Sequence, residues 1–247
     1  MTRRLAAPTF ALALLAGSDI ARSADQRQPV VVELFTSQSC YSCPPAEAYL
    51  AELANKPDVL ALEWHVDYWD DLVYGAAGQW RDPFSDPAYT ERQVAYNLAI
   101  RGSGRIYTPQ MVIDGADEAV GSRREQVRAA IERAGQNRRS TEITLSPAEG
   151  HTLTVKLDGA LDQPADVWLV RYLRAETTEV ERGENHGKRL TNHHIVREVE
   201  KLGAWRGGEV SFTFNGASEE MGCAILVQRA PAGSIQGARS CDLEHGA

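Results

Sequence analysis

The chain has 247 residues, 43% of them hydrophobic and 24% charged, with a formal net charge of −8. That length suits one large or two modest domains, and the composition is that of a globular protein, not a disordered or fibrous one. The acidic excess argues against nucleic acid and anionic lipid surfaces as partners. The first element is a basic MTRR start followed by an apolar run over residues 5–17 and then Ala21-Arg22-Ser23. It predicts a signal peptide over residues 1–23, with a periplasmic or secreted protein starting near Ala24 and no membrane insertion after cleavage. Four cysteines remain, an even number for an oxidising compartment.

The run VVVELF at 30–35 is short, β-branched and bounded by polar turn formers, so it predicts a buried strand. Thr36-Ser37-Gln38-Ser39 leads from it to Cys40-Tyr41-Ser42-Cys43. Pro44-Pro45 and an Ala- and Leu-rich stretch then predict a helix with its prolines in the first turn. A thiolate at a helix N-terminus faces unpaired N–H groups and the positive end of the dipole, which lowers its pKa and makes it a nucleophile. Two intervening residues let the second thiol reach the first and expel a bound partner. A residue before proline is biased away from helical angles, so a helix starting only after Cys43 weakens the dipole's hold on Cys40. The other uses of C-x-x-C are half a zinc site or a small structural disulfide. A closed zinc site needs four ligands, and no second C-x-x-C follows.

Residues 59–66 predict a second strand carrying His65 near its end. An aromatic and acidic stretch near 67–88 then either lines a pocket with His65, Asp67 and Trp69 or plugs a satellite core. His65 is a proton-transfer partner in the first case and a packed histidine in the second. Residues 89–100 have helical spacing, with Val94, Leu98 and Ile100 on or near the apolar face. Thr108-Pro109 opens a further strand, QMVIDG. A cis bond there would present the Thr108 backbone to the Cys40 turn, where an extended thiol substrate can pair with it. Ser122 as N-cap and Glu125 three residues on predict a closing helix to Ala134.

From Ser140 the apolar period becomes two. Short strands over 141–145, 152–157, 166–172, 195–199, 210–214 and 224–228, divided by Gly, Pro and Asn, predict an antiparallel sandwich. The polar break at 134–139 divides a first domain, 28–136, from a β-rich second, 140–247. An oxidising compartment makes a Cys223–Cys241 disulfide the default. Residues 181–194 form a polar loop whose His186, His193 and His194 suit a metal, an anion or a peptide. Adjacent histidines on a strand point to opposite faces, and the plain alternative is a solvated hairpin held by its charges.

The order strand, C-x-x-C, helix, strand, Thr-Pro strand and closing helix resembles the thioredoxin fold, and TPQMVIDG resembles the cis-proline segment of glutaredoxins and thioredoxins. More narrowly, VVELFTSQSCYSCPPAE, HVDYWD, DPF, TPQMVIDG and RGENHGKRL resemble a family of exported thioredoxin-like proteins known as a domain of unknown function (number 1223). By position, the resemblance implies a redox pair at Cys40 and Cys43 and a cis proline at Pro109. Tyr41-Ser42 departs from the Gly-Pro of thioredoxin and the Pro-Tyr of common glutaredoxins, which leaves the poise between reductant and oxidant open.

The expected fold is therefore an α/β thioredoxin-like domain followed by an all-β, sandwich-like C-terminal domain. The expected function is thiol–disulfide oxidoreduction on protein or small-molecule thiols, with Cys40 attacking, Cys43 resolving and Thr108-Pro109 positioning the substrate backbone. It requires a redox partner protein and no cofactor or metal. Two alternatives stand beside it: a periplasmic copper-binding protein using Cys40, Cys43 and nearby histidines, and a non-catalytic thioredoxin-like interaction module.

Overall fold

A computed structural model describes residues 28–74, 77–137, 139–216, 218 and 220–241. The expected signal peptide lies outside the described residues. The first strand, β1 (Val30–Thr36), is buried along its whole length, as its unbroken apolar run requires of a strand covered on both faces. It pairs in parallel with β2 (Val59–His65) and antiparallel with β5 (Gln110–Ile113), which turns back into β6 (Asp117–Val120). The three-residue connection 114–116 starts with a tight turn closed by Ala116 N–H donating to Ile113 O, and its central residues Asp114 and Gly115 are both at positive φ. Gly115 is also forced by crowding, since a Cβ there would stand 2.5 Å from the Gly233 carbonyl.

Helices α1 (Pro44–Ala54) and α3 (Arg124–Gly135) cover one face, packing Leu50, Leu53, Val127 and Ala130 against Val32, Leu34, Ala61 and Met111. The first turn of α3 has no side-chain cap: the N-cap is Arg123, not Ser122. Helix α2 (Pro87–Arg101) covers the other face, started by Asp86, whose carboxylate accepts from the Ala88 N–H. Its buried side is Tyr89, Gln93, Tyr96 and Asn97, whereas Leu98, expected inside, is 54% exposed.

The expected separate all-β domain is overturned. The later strands β9 (Ala165–Glu179), β10 (Arg189–Trp205), β12 (Met221–Arg229) and β13 (Ile235–Ser240) join the first four in one mixed sheet, ordered β13-β12-β9-β10-β2-β1-β5-β6. The junction is parallel pairing of β10 with β2, Ile195 opposite Glu63. Strands β7 (Glu142–Pro147), β8 (Thr152–Asp158) and β11 (Val210–Asn215) form a second sheet, packed through Val155, Leu157 and Phe214 onto Val167, Leu169, Ile225 and Val227, and the short β3 (Val73–Tyr74) and β4 (Gly78–Gln79) pair with each other in the insert. Cys223 and Cys241 are joined in a disulfide that ties the end of β13 to β12.

A buried polar net fastens α2 across the sheet. Arg92 donates to Glu33 of β1 at 2.8 Å, lies over the Trp64 ring, and reaches Tyr96, which also bonds Glu33 and accepts from Gln228 of β12. Residues from both halves of the sequence therefore close one network.

Candidate functional site

Cys40 and Cys43 are disulfide-bonded in the loop between β1 and α1. Both are wholly buried, so neither is the more accessible, and the part of the motif that meets solvent is Tyr41, 65% exposed, with Ser42. The loop is a chain of tight turns: Cys40 N–H donates to Ser37 O and Cys43 N–H to Cys40 O. Cys43 is the N-cap of α1, so the helix does begin only after it. Pro44 and Pro45 carry no N–H, and those of Ala46 and Glu47 are both taken by the Cys43 carbonyl. The helix start thus offers the sulfurs none of the orphan donors that the simple N-terminus argument supplies. The polar neighbour of Cys40 Sγ is the Ser42 hydroxyl at 3.4 Å.

Beneath this loop lies a cluster of buried polar and ionisable groups, which alternation along β1 and β2 starts on one face and α1 and the insert complete. Thr36, Glu63 and His65 come from β1 and β2, Glu47 from α1 and Asp82 from the insert. His65 Nδ1 is 2.7 Å from Asp82 Oδ2, and its Nε2 is 3.6 Å from Glu63, too long for a hydrogen bond. Burial alone would lower the imidazole's pKa, but the charge and hydrogen bond of Asp82, with Glu63 beside it, push it up to about 10. Asp82 moves the opposite way: burial works against its charge, and His65 with backbone donors from Gln38 and Phe84 outweighs it and holds the pKa low. The pair is an imidazolium–carboxylate, and the Asp82 carboxylate also anchors Gln38, two residues before Cys40.

Glu47 sits one helical turn after Cys43 on the buried side of α1 and accepts from Thr36 Oγ1 at 2.6 Å. Burial, then repulsion from Glu63, push its pKa up to about 8. At neutral pH it therefore holds a proton within the core, one turn from the second cysteine. The native protein binds this proton between the ordinary 4.5 and about 8, where the unfolded chain has lost it, so stability falls as pH rises through that window. Glu47→Gln is expected to remove that share of the decline, so that its gain in stability over the parent is larger at pH 9 than at pH 5 in urea unfolding.

Thr108–Pro109 is a cis peptide bond. Phe35 lies opposite Gln110, so one more step of the register sets Pro109 beside Thr36 at the mouth of the cysteine loop. Trp69 Nε1 donates to Thr108 Oγ1 at 2.8 Å. The expected pocket of His65, Asp67 and Trp69 does not form as one unit: His65 points into the buried cluster, Asp67 takes a hydrogen bond from Thr90 of α2, and Trp69 turns to Thr108. The insert packs mainly under the cysteine loop, with Trp80 O accepting from Ser39 and Phe84 edge-on to His65.

Of the histidines expected in a loop, only His186 lies in the turn; His193 and His194 are in β10, where His193 N–H donates to Glu63 and the His194 ring lies against Tyr172. Among the described residues, no three His, Cys, Asp or Glu side chains converge as a metal-binding group. No helix among them is long and apolar enough to cross a membrane. Glu47, Glu63, Asp82 and Asn185 are the site residues that sequence reasoning missed. The DPF and RGENHGKRL runs marked two of these neighbourhoods without saying what they touch.

The chain belongs to the family described as Protein of unknown function (DUF1223), which matches residues 31–228. Among solved structures it is similar to Protein AGR_C_4864 from Agrobacterium tumefaciens, with 30% identity, 88% of this chain and 97% of that one covered, and a TM-score of 0.71. A domain of the outer membrane lipoprotein Omp28 from Porphyromonas gingivalis aligns over 42% of this chain and 88% of that one, at 10% identity and a TM-score of 0.24, a likeness that carries no argument. No curated protein matches the chain.

Proposed function

We propose that the protein is an exported thiol–disulfide oxidoreductase of the thioredoxin/glutaredoxin-like superfamily, exchanging electrons between Cys40–Cys43 and the thiols of a partner. The observation that carries this reading is a disulfide across two residues, set between a buried strand and a helix start, with a cis proline on the neighbouring strand. The order β2-β1-β5-β6, with the first pair parallel and the others antiparallel, supports the superfamily assignment; β10, β9, β12 and β13 extend that sheet.

In the direction that reduces the pair, a substrate thiolate attacks Cys40 Sγ and forms a mixed disulfide as the Cys40–Cys43 bond breaks. Cys43 leaves with the electron pair and takes up a proton. A second substrate thiol then attacks the mixed disulfide, releasing Cys40 as a thiolate and leaving the substrate oxidised by two electrons. Glu47 holds a proton one turn from Cys43, and Thr108 offers its backbone beside the loop. The test is the reduction potential of Cys40–Cys43, read by alkylation and mass spectrometry in glutathione buffers until approach from both sides agrees, with Cys223–Cys241 as control. A value near about −120 mV makes the protein a disulfide donor and one near about −270 mV a reductant. A pair that exchanges with no buffer overturns the reading.

A further inference from the structure

The β9–β10 hairpin does not end in solvent. Its turn, residues 180–188, lands on the cysteine loop and is fastened there by side chains. Asn185 is fully buried, and its Nδ2 donates to the carbonyls of Gln38 at 2.8 Å and Cys40 at 3.0 Å. Glu184 accepts the Tyr41 N–H at 2.9 Å. The Cys40 carbonyl and the Tyr41 N–H are opposite edges of one trans peptide, so two adjacent residues of the turn straddle that peptide and hold it from both sides. Lys188 completes the grip: its ammonium donates to Asn185 Oδ1 at 2.8 Å and lies 4.5 Å above the Tyr41 ring.

The rest of the loop is tied elsewhere. Asp82 holds the Gln38 N–H, the Trp80 carbonyl holds the Ser39 hydroxyl, and Cys43 begins α1. Residues 40–42 span the gap between these anchors, and the side chains that tie the Cys40–Tyr41 peptide down come from the turn. In this arrangement both sulfurs are wholly buried, although Tyr41 is 65% exposed. Exchange requires a thiolate to reach a sulfur, so the loop has to swing outward before it reacts. The turn is made to let go as a unit. Val180 N–H donates to Lys188 O, Gly187 N–H to Val180 O and Lys188 N–H to Asn185 O, so its shape is closed by its own backbone. The buried Val180 and Leu190 mark its two roots. Its ties to the cysteine loop are side-chain bonds, which break without unravelling the hairpin.

We propose that the turn is an autoinhibitory clamp: it holds the cysteine loop shut over its own disulfide, and exchange at Cys40–Cys43 proceeds from the state in which Asn185 and Glu184 have released the Cys40–Tyr41 peptide. The proposal rests on the oxidoreductase reading and adds a control on its rate. Asn185 and Glu184 are positioning residues that act through the peptide they hold, and neither joins the sulfur chemistry. Because release precedes attack, the clamp slows every attacking thiol by the same factor.

The experiment measures how fast the Cys40–Cys43 disulfide of the purified protein is opened by dithiothreitol and, separately, by glutathione, read by acid quench, alkylation and mass spectrometry. Asn185→Ala and Glu184→Ala are each expected to raise the rate about three- to tenfold, the scale of one net hydrogen bond, and by the same factor for both thiols. Glu184→Gln keeps an acceptor for the Tyr41 N–H and should stay close to the parent. Deuterium exchange at the Tyr41 amide is a readout independent of sulfur chemistry, and in Asn185→Ala it should rise by the factor seen in the opening rate. Opening of Cys223–Cys241 in the same digest reports global loosening; where Asn185→Ala speeds that too, Glu184→Ala, at an exposed position, decides. Unchanged rates in both alanine variants, Glu184→Gln as fast as Glu184→Ala, or an acceleration confined to one thiol overturn the proposal. If the pair still equilibrates with glutathione buffers in that case, the oxidoreductase reading survives it; if no thiol opens the pair in parent or variant, both fall.

Discussion

Cys43→Ser is expected to stop exchange at its midpoint and accumulate a covalent adduct through Cys40. With the second sulfur gone, Cys40 still attacks a partner disulfide, but nothing within reach expels the partner from the mixed disulfide. Non-reducing electrophoresis of cells producing this variant should show discrete higher-mass species that collapse with reductant, and mass spectrometry should place the link at Cys40. Cys40→Ser should give none, because in the proposed exchange the partner is bound through Cys40 and Cys43 only resolves that bond. Adducts formed equally through either cysteine would contradict the division of roles. A variant that forms none with any polypeptide disulfide would argue for a bond that never turns over.

Asp82→Asn is expected to be the most damaging single change outside the disulfides. The carboxylate faces a buried imidazolium and accepts from two backbone N–H groups, one of them on the cysteine loop. Removing one partner of a buried ion pair leaves the other charge uncompensated, at a cost of about 3–5 kcal/mol. For a chain of this size that corresponds to a fall in Tm on the order of 10 °C, measurable by calorimetry. The pH signature is specific. His65, raised from 6.5 to about 10, stabilises fully below 6.5 and loses its contribution as pH rises through 10; Asp82, held below 3.8, stabilises above that value and loses its contribution as pH falls through its folded pKa. The pair is therefore at full strength between 3.8 and 6.5. The parent's decline in stability from 6.5 to 10 should flatten in Asp82→Asn, while the part due to Glu47 persists. An unchanged slope above pH 6.5 would mean that His65 is neutral in the native state.

What the sequence disclosed depended on whether side-chain chemistry agreed with position. β1, the cysteine loop, α1 and β2 were legible because apolar strands and a proline-marked helix start are local signals. The inward face of α2 was not, because Gln93 and Asn97 are buried to hydrogen-bond Gln110, and hydrophobic periodicity does not register polar residues that point inward. The cluster of Glu47, Glu63 and Asp82 was hidden for the same reason. Period two revealed the later strands but carries no information about which sheet they join, so a second domain was inferred where most of them extend the first sheet. The turn at 180–188 showed as a charged loop, and only the path of β9 and β10 reveals that it lands on Cys40.

The pairing of β10 with β2 has a consequence for how the chain is made. The middle of the main sheet is assembled from strands far apart in sequence, a topology of high contact order that favours slow, late closure. Until β10 has left the ribosome, β2 is a bare sheet edge, and the Glu63 carboxylate lacks the Asn192 and His193 donors that satisfy it. A polypeptide cut after residue 137 would expose that edge for good and should aggregate instead of standing as an active half. The cysteine loop is thus one of the first segments synthesised and among the last to be finished.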